Sequence, residues 1–413
     1  MRSDRPPSHR VCGGGRTTRQ TGRVLHPLTV DAPDEVLEAL AEVGRIEDAS
    51  FSPDGRRLAL ACYHHESVLV LDVELVADQP VAITSATILR SERFASPHGV
   101  AFLTADLLAV ANRLGAVTLM AVPHASTVQS ISAEPLLELG EPHGIESPGS
   151  VTVRPVAAGL YELLVCNNYT HRLTRHVVDA ADPAAPRSVS DSVLAASGLL
   201  VPDGVTYSAD GRQLIVSNHD LMTASVFDNA PGLHALTAPV GSWRGVSYPH
   251  GLQCTPDGRF ALVADAGRPV VHVFASDEGG WHGEREPVAS VRVVEEAAYQ
   301  RSSEMVGEGG PKALSIDGEG RVVVLAGEHL PLSFYDVAAF TGSAAGRPVL
   351  AGADAADAAA RLGLLREARR GDELADERDR LAARLAEREA YVGVLEQMVH
   401  GLRRRVHSAE RPR

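Results

Sequence analysis

The fold of this chain is decided by residues 249–265, which read PHGLQCTPDGRFALVAD. The stretch opens on Pro-His-Gly, continues as a short apolar run, turns at Pro256-Asp257-Gly258 and returns as a second apolar run that ends in Asp265. Proline presets φ in such a turn and glycine takes the positive-φ position. We therefore expect two short antiparallel strands joined by a tight hairpin.

The same phrase occurs six times along the chain. The copies begin at Glu47, His98, Gly149, Asp203, His250 and Lys312, which lie between 47 and 62 residues apart. A period near fifty residues, built of short strands and glycine turns, is typical of β-propellers. The sequence therefore predicts an all-β fold with a six-bladed β-propeller over residues 46–337. The third copy is the most degenerate, because residues 154–159 replace the usual turn.

The segment before the first repeat has two parts. Residues 1–23 are rich in glycine, arginine and proline and predict a disordered basic arm. Residues 24–45 are expected to close the ring. Within them, residues 24–30 fit a strand, whereas residues 34–43 fit either a short helix or an outer strand. Either segment would complete the last blade.

The character of the chain changes after Asp336. Residues 338–372 are rich in alanine and glycine and predict a linker with a helical lead-in. Residues 373–407 carry apolar side chains in a strict 3-4 alternation over more than four heptads, with charges between them, and residues 408–413 form a tail. This narrow stripe predicts a long C-terminal α-helix that forms a coiled coil, although a helix lying on the propeller is the alternative.

The coiled coil would make the protein a homo-oligomer through residues 374–406. Gly393 and Gly401 would each weaken the helix by about 1 kcal/mol. Arginine stands at one a position, Arg378, and at one d position, Arg388. These two charges disfavour a tight core of high order, so the choice between dimer and trimer stays open.

Composition limits the kinds of partner. The chain of 413 residues has a formal net charge of −14 and a pI near 5.6. Nucleic acids and anionic membranes attract dense basic surfaces, so neither is expected as the main partner. No apolar run is long enough to span a bilayer, and residues 1–23 lack the apolar stretch of a secretion signal. We expect a cytoplasmic protein.

The cysteines and the single lysine of the chain give little evidence about its function. The four cysteines are scattered, and Cys254 stands where other repeats carry an aromatic residue, which favours a small buried hydrophobe. Lys312 is the only lysine among many arginines, a bias typical of GC-rich bacterial genomes. The GxSxG, HExxH and kinase motifs are absent from the sequence.

The repeat register predicts a site at one mouth of the central channel. The innermost strand of each blade runs beside the axis, so the residue at its start lies at the mouth. This inner ring comprises Glu47, His98, Asp203, His250 and Lys312, and Gly149 adds no side chain to it. The second strands return to the same face and would add Asn112, Asn168, Asn218 and Asp265. A small ligand or a protein partner would bind to this surface.

Residues 249–259 and 264–265 resemble the repeat of YVTN or lactonase-type propellers, and the resemblance extends, with decay, over residues 46–337. Among six-bladed relatives, the gluconolactonase, regucalcin and paraoxonase group holds a divalent cation on the axis. Its ligands are an acidic residue of the first blade and Asn or Asp residues that start later inner strands. The resemblance implies Glu47 and Asp203 as ligands. The chain departs from the pattern at His98 and His250, where that group tends to carry Asn.

Four residues at the mouth would suit a metal ion. Glu47, His98, Asp203 and His250 together would favour zinc, manganese or ferrous iron over calcium, because nitrogen donors favour borderline metals. Such a metal would polarise a lactone or ester carbonyl and lower the pKa of its bound water. Without a metal, one carboxylate beside one imidazole would form an acid–base pair. Polar residues at a solvated channel mouth also occur simply as part of the repeat.

These patterns favour a non-enzymatic scaffold, or a module that binds a ligand or a protein, multimerised by the C-terminal coiled coil. Linking several weak sites raises avidity without any new contact. The first alternative is a metal-dependent lactonase or esterase with its site at the channel mouth. A further alternative is a rigid propeller spacer whose C-terminal helix carries the function.

Overall fold

The computed structural model describes residues 24–300, 308–328 and 330–342, together with the backbone of residues 19 and 20. The predicted coiled coil and tail lie outside the described residues, as do nearly all of the predicted basic arm and of the linker. Among the described residues, no helix has the length and apolar character needed to cross a membrane.

Six antiparallel sheets follow one another along the chain and form the blades of a propeller, which confirms the predicted six-bladed all-β fold. The innermost strands are Ile46–Phe51, Pro97–Thr104, Pro148–Ala157, Pro202–Tyr207, Pro249–Cys254 and Ala313–Ile316. The second strands are Arg57–Cys62, Leu107–Asn112, Leu160–Asn167, Gln213–Asn218, Phe260–Asp265 and Val322–Ala326. The third strands are Ser67–Glu74, Val117–Ala121, Arg172–Asp179, Thr223–Asp228, Val270–Ala275 and Ser333–Asp336.

Blades one to five have a fourth strand, and the described part of blade six has three strands. The fourth strands are Val81–Arg90, Leu137–Leu139, Arg187–Ala195, Gly241–Trp243 and Ala289–Arg292. Short strands add in parallel at outer edges: Val30–Asp31 and Val128–Ser132 on blade one, Gly283–Arg285 on blade four and Arg19–Gln20 on blade five. The helices in the described part of the chain are Asp34–Glu42, Glu296–Tyr299 and Val337–Thr341, with a 3-10 turn at Glu141–His143.

The segment before helix Asp34–Glu42 runs along the outer edges of three blades. Leu25 donates its backbone N–H to the carbonyl of Arg292 in blade five at 2.8 Å, and Leu28 donates to the carbonyl of Phe334 in blade six at 2.7 Å. Val30–Asp31 then pairs with the fourth strand of blade one. Hydrogen bonds of this segment therefore join the last two blades to the first.

The core lies between the faces of neighbouring blades. Second strands such as Arg57–Cys62 and Leu107–Asn112 are buried along their whole length, because each is covered on both faces. Between blades four and five, the Trp243 ring stacks on the Phe274 ring with centroids 4.6 Å apart. The blades are therefore held mainly by apolar packing, with polar groups concentrated near the axis and at the edges.

One hydrogen bond beside the axis joins each blade to the next. The Val100 N–H donates to Asp48 between blades one and two, and His98 donates to the Gly149 carbonyl between blades two and three. Asn168 donates to Asp203 between blades three and four, and Ser217 donates to the His250 carbonyl between blades four and five. The Gly251 N–H donates to the Lys312 carbonyl between blades five and six, and the Phe51 N–H donates to Ser315 between blades one and six. The ring of blades is thus also closed by specific polar contacts. Two of these contacts, from His98 and Asn168, use side chains of the predicted site.

Candidate functional site

A recurrent backbone turn builds the site. In blades two to five the residue before the proline that starts the inner strand has a left-handed conformation: Ser96, Ser147, Val201 and Tyr248, with φ between 48° and 56°. Each of their carbonyls accepts the N–H of the residue just after the second strand, namely Arg113, Asn168, His219 and Ala266, at 2.9–3.0 Å. Non-glycine residues in this region are strained, and such strain is concentrated at functional sites.

The consequence is that side chains one position past the second strand reach the axis. Arg113, Asn168 and His219 contact inner-ring residues in this way. Asn168 belongs to the predicted set, whereas Arg113 and His219 were not singled out from the sequence. The signal that would have found Arg113 and His219 is their position directly after Asn112 and Asn218, which end the second strands of blades two and four.

Three predicted mouth residues make their hydrogen bonds within their own blades. Asn112 donates to the Ala116 carbonyl at 2.8 Å, Asn218 donates to Ser225 Oγ at 2.9 Å, and Asp265 accepts the Ser247 N–H and the His272 ring at 2.8 Å each. These bonds tie the end of the second strand to the third strand and to the preceding loop. The structure therefore places Asn112, Asn218 and Asp265 in blade-stabilising positions, beside the inner ring rather than in it.

One half of the cluster at the axis is a set of ion pairs. Lys312 Nζ lies 2.9 Å from Glu308 Oε2 and 3.7 Å from Glu47 Oε2, and Arg45 pairs with the other oxygen of Glu47. Lys312 is 1% exposed. Burial by itself raises the pKa of Glu47, but Arg45 and Lys312 outweigh it and hold the pKa well below its usual range. This half is therefore charge-compensated by permanent cations.

His98 is held in one tautomer. Its Nδ1 lies 2.6 Å from the Gly149 carbonyl oxygen and its Nε2 lies 2.6 Å from Arg113 Nη1. Because arginine can only donate, His98 Nε2 accepts and Nδ1–H donates. Burial and the Arg113 charge both lower the pKa of His98. Neither nitrogen of His98 is therefore left for a metal ion.

Asp203 lies at the centre of the other half. Its Oδ2 is 3.1 Å from His250 Nε2, and its Oδ1 accepts a hydrogen bond from Asn168 at 2.8 Å. Burial raises the pKa of Asp203, whereas His250, His98 and Arg113 together hold it below its usual range. Burial lowers the pKa of His250 to about 3. The pair therefore combines an ionised carboxylate with a neutral imidazole.

His219 extends this half towards the loop before blade six. Its Nε2 lies 3.2 Å from Glu308 Oε1 and its Nδ1 lies 2.8 Å from Asp220. Its ring stacks on Tyr248 with centroids 4.8 Å apart. Burial lowers the pKa of His219, but Glu308 and Asp203 raise it more, so the net shift is upward. One ligand atom each of Asp203, His219 and His250 lies within 4.8 Å of the other two.

Asn168, which follows the second strand of blade three, fills the space left by the missing side chain of Gly149. Gly149 supplies no side chain, and a Cβ added there would lie 1.8 Å from Asn168 Oδ1. Glycine at this position therefore leaves the space in which Asn168 reaches Asp203. Although Asn168 is fully buried, its Oδ1 has no hydrogen-bond partner among the described residues.

The donor groups fit a metal ion on one side of the cluster only. Of the ligands expected from the sequence, Glu47 is engaged by Arg45 and Lys312, and His98 is engaged at both nitrogens. Asp203 and His250 do converge, and the third convergent donor is His219. Two imidazoles and one carboxylate are a donor set that borderline divalent cations accept.

Comparisons with known proteins identify no relative by sequence, since no family model and no curated protein matches this chain. Similar solved structures include a hydrazine synthase of Kuenenia stuttgartiensis, 16% identical over 79% of this chain and 83% of that one, with a TM-score of 0.46. A functionally unknown protein of Desulfotomaculum acetoxidans DSM 771 is 14% identical over 75% and 86% of the two chains, with a TM-score of 0.47. A nidogen/laminin complex is 14% identical over 56% and 76%, with a TM-score of 0.40. None of these likenesses bears on function.

Proposed function

We propose that the propeller is a ligand-binding module and that the axial cluster is its site. The axial cluster comprises Glu47, His98, Asp203, His219, His250, Glu308 and Lys312. The observation that carries the proposal is that five blades and one loop send ionisable side chains to the same buried place. Taking a charge out of water costs several kcal/mol even in a pair, so such a set is an unfavourable way to build a core. Strongly shifted pKa values in one cluster are typical of functional sites.

Most of the hydrogen bonds that join neighbouring blades beside the axis do not come from side chains of this cluster. Four of the six are made by other groups. Glu47, His219 and Glu308 supply none of these six hydrogen bonds, although the ion contact of Glu47 with Lys312, at 3.7 Å, also crosses between two blades. These side chains are therefore candidates for a role other than holding the fold together.

An unsatisfied acceptor indicates what a ligand would offer. Asn168 Oδ1 is buried without a hydrogen-bond donor among the described residues. A buried acceptor without a donor costs about 1–3 kcal/mol. A ligand with hydroxyl groups would remove that cost, so we assign the site to a small hydroxylated molecule.

The proposal includes multimerisation through residues 374–406. The support is the heptad pattern of the sequence, and several propellers in one assembly would bind a multivalent partner with raised avidity. The test is light scattering of the full chain and of a chain truncated before Leu374. The truncated chain is expected to be a monomer with the same β-sheet circular dichroism. An oligomer that survives truncation would contradict this part.

A metal-dependent lactonase or esterase is the second candidate. It is favoured by the carboxylate–imidazole pair of Asp203 and His250, 3.1 Å apart, with the further imidazole of His219 close by. A resident metal ion would act as a Lewis acid on the ester carbonyl. The two candidates place the ligand at the same cluster and differ in whether the ligand is released unchanged.

One experiment separates them. Thermal unfolding would be measured with a panel of sugar γ- and δ-lactones and their ring-opened hydroxy acids, and acid release from the lactones would be followed in parallel. We expect stabilisation of the wild type, loss of that stabilisation in Asp203→Asn, and no acid release. Glu284→Gln, on an exposed outer strand, is the control. Acid release that disappears in Asp203→Asn would establish the hydrolase, and equal stabilisation of wild type and Asp203→Asn would remove the axial cluster as the site.

A further inference from the structure

We infer that the axial cluster holds one divalent cation of the borderline class, such as zinc, on Asp203, His219 and His250. This inference rests on the proposed function in one respect, because both place the site at the axis. All three residues are largely buried, and one ligand atom of each lies within 4.8 Å of the other two. Two imidazole nitrogens and one carboxylate oxygen form a donor set used by protein-bound zinc and ferrous iron.

The hydrogen bonds of His219 direct one nitrogen towards the site. Its Nδ1 lies 2.8 Å from Asp220 Oδ1, so Nδ1–H donates to that carboxylate. Metal-bound histidines commonly donate their second N–H to a carboxylate or a carbonyl, which fixes the ring and the tautomer. The Nε2 of His219 faces Glu308 Oε1 at 3.2 Å and becomes the ligating atom when its proton is released to solvent as the cation binds. Glu308 Oε1 is then a further oxygen donor close to this nitrogen.

Asp203 is oriented in the same manner. Asn168 donates to Oδ1 at 2.8 Å, whereas Oδ2 faces His250 Nε2 at 3.1 Å. The amide therefore holds one carboxylate oxygen and leaves the other directed at the imidazole. When a cation binds between them, Oδ2 and Nε2 become its ligands, and the His250 proton moves to Nδ1. Second-shell groups of this type change metal affinity by about 10–100-fold when they are removed.

Permanent charge explains why the cation would take this half of the cluster. Glu47 and Glu308 Oε2 are paired with Arg45 and Lys312, whose charges repel a divalent ion. The charge of Arg113 also acts on Asp203, but no arginine or lysine among the described residues makes a direct ion pair with it. Its close polar partners are Asn168 and imidazoles. The site with the higher affinity for a cation is therefore the one that contains Asp203.

Another His and Asp cluster in the described chain supplies a contrast. At the edge of blade three, the Nδ1 atoms of His143 and His176 lie 2.8 and 2.7 Å from the two oxygens of Asp191, and His176 Nε2 binds Thr174. The single carboxylate is already shared by two imidazoles, and no trio of donors in this cluster meets the spacing found at the axis. His143 is therefore a suitable control position.

The test uses the full chain, purified without a histidine tag and stripped with a chelator. It is titrated with Co²⁺, followed by visible absorption, and with Zn²⁺, followed by calorimetry. The expected result is one equivalent of either metal, an affinity loss of more than about tenfold in His219→Gln and in His250→Gln, and no change in His143→Gln. Circular dichroism of each variant shows whether it remains folded.

A second variant keeps the inference testable if the glutamine variants fail to fold. His219→Cys offers a thiolate in place of the imidazole, and the Co²⁺ complex is expected to gain a sulfur-to-metal charge-transfer band. The inference is overturned if the wild type binds neither metal stoichiometrically, or if His219→Gln binds as well as the wild type. A wild-type protein that binds a hydroxy acid but neither metal would overturn this inference alone. Metal binding without binding of any lactone or hydroxy acid would instead count against the proposed ligand class.

Discussion

Asn168 donates a hydrogen bond from Nδ2 to Oδ1 of Asp203 at 2.8 Å, and this bond joins blade three to blade four beside the axis. The two residues come from different positions of the repeat, since Asp203 starts an inner strand and Asn168 follows a second strand. Blade three lacks a side chain at its own inner-ring position, Gly149, and Asn168 occupies that space. The same contact therefore links neighbouring blades and orients the central carboxylate of the site.

Gly149→Ala is expected to displace Asn168. The new Cβ would lie 1.8 Å from Asn168 Oδ1, so the amide must move away from Asp203. We expect a loss of about 1–3 kcal/mol in the free energy of unfolding, because the interior is overpacked. Chemical unfolding measures it. Gly232→Ala, where no atom lies within 4 Å of the new Cβ, is the control and should change stability by less than about 0.5 kcal/mol. Equal stability of the two variants would contradict the contact.

His98→Leu tests the junction of blades two and three. The substitution removes both hydrogen bonds of the ring and leaves the Gly149 carbonyl and the Arg113 guanidinium without their partner. Each buried group left unsatisfied costs about 1–3 kcal/mol. A stability close to that of the wild type in urea unfolding would show that His98 does not join the blades. His124→Leu, at an exposed histidine, controls for the loss of an imidazole.

Arg57→Met tests the buried polar contacts of Arg57 that link blade one to blade two, which are called the clamp below. Arg57 is 1% exposed; its Nε lies 3.1 Å from Asp72, and Nη1 donates to the Ala105 and Val122 carbonyls at 2.9 Å each. Removing one partner of a buried charged network costs about 3–5 kcal/mol. The thermal midpoint should fall accordingly, while Arg56→Met, at a surface position, should leave it unchanged. If both variants unfold at the wild-type midpoint, the clamp is not stabilising.

The stability of the protein should depend on pH through Asp48. Burial raises the pKa of Asp48 to about 7. The hydrogen bonds from the N–H groups of Val100 and Ala49 favour the carboxylate and oppose this increase, but burial has the larger effect. The pKa of an aspartate in the unfolded chain is about 4. Between about pH 4 and 7 the folded state therefore binds more protons than the unfolded state. This contribution to stability is present below about pH 4 and is lost as pH rises towards 7.

Asp48→Asn removes that titration. The stability of Asp48→Asn relative to wild type is therefore expected to rise between pH 4 and pH 7 and to be constant above this window. Urea unfolding of both proteins across the window measures the difference. A difference that does not vary with pH, or that falls as pH rises, would contradict a protonated Asp48 in the folded state.

Much of this architecture could be predicted from the sequence, because the repeated phrase marks where the inner and second strands of each blade lie. The repeated phrase at the start of each inner strand fixes its register, so the convergence of Glu47, His98, Asp203 and His250 followed from counting. Arg113 and His219 could not be obtained in this way. Successive residues of a strand point to opposite faces. Only the left-handed turn before the inner strands of blades two to five shows that the residue after the second strand faces the axis.

The sequence also could not predict which charged side chains form ion pairs with each other. Glu308 lies in the connection before blade six, outside the repeat, and only the folded chain places it 2.9 Å from Lys312. Whether His98 is a metal donor depends on Arg113, which lies on the hairpin of the same blade. Partners of this kind are set by distances between side chains, and repeat spacing carries no information about them.

The free energy of unfolding of the double variant Glu308→Gln, Lys312→Met shows most directly whether the axial cluster serves binding rather than stability. Removing a buried ion pair as a pair is often neutral or stabilising by about 1–4 kcal/mol. Lys312→Met alone leaves Glu308 without its cation and is the destabilised reference. We expect the free energy of unfolding of the double variant to equal or exceed that of the wild type. A loss of about 3–5 kcal/mol in the double variant, as large as that from breaking a buried pair, would show that the cluster holds the fold together and would contradict the claim.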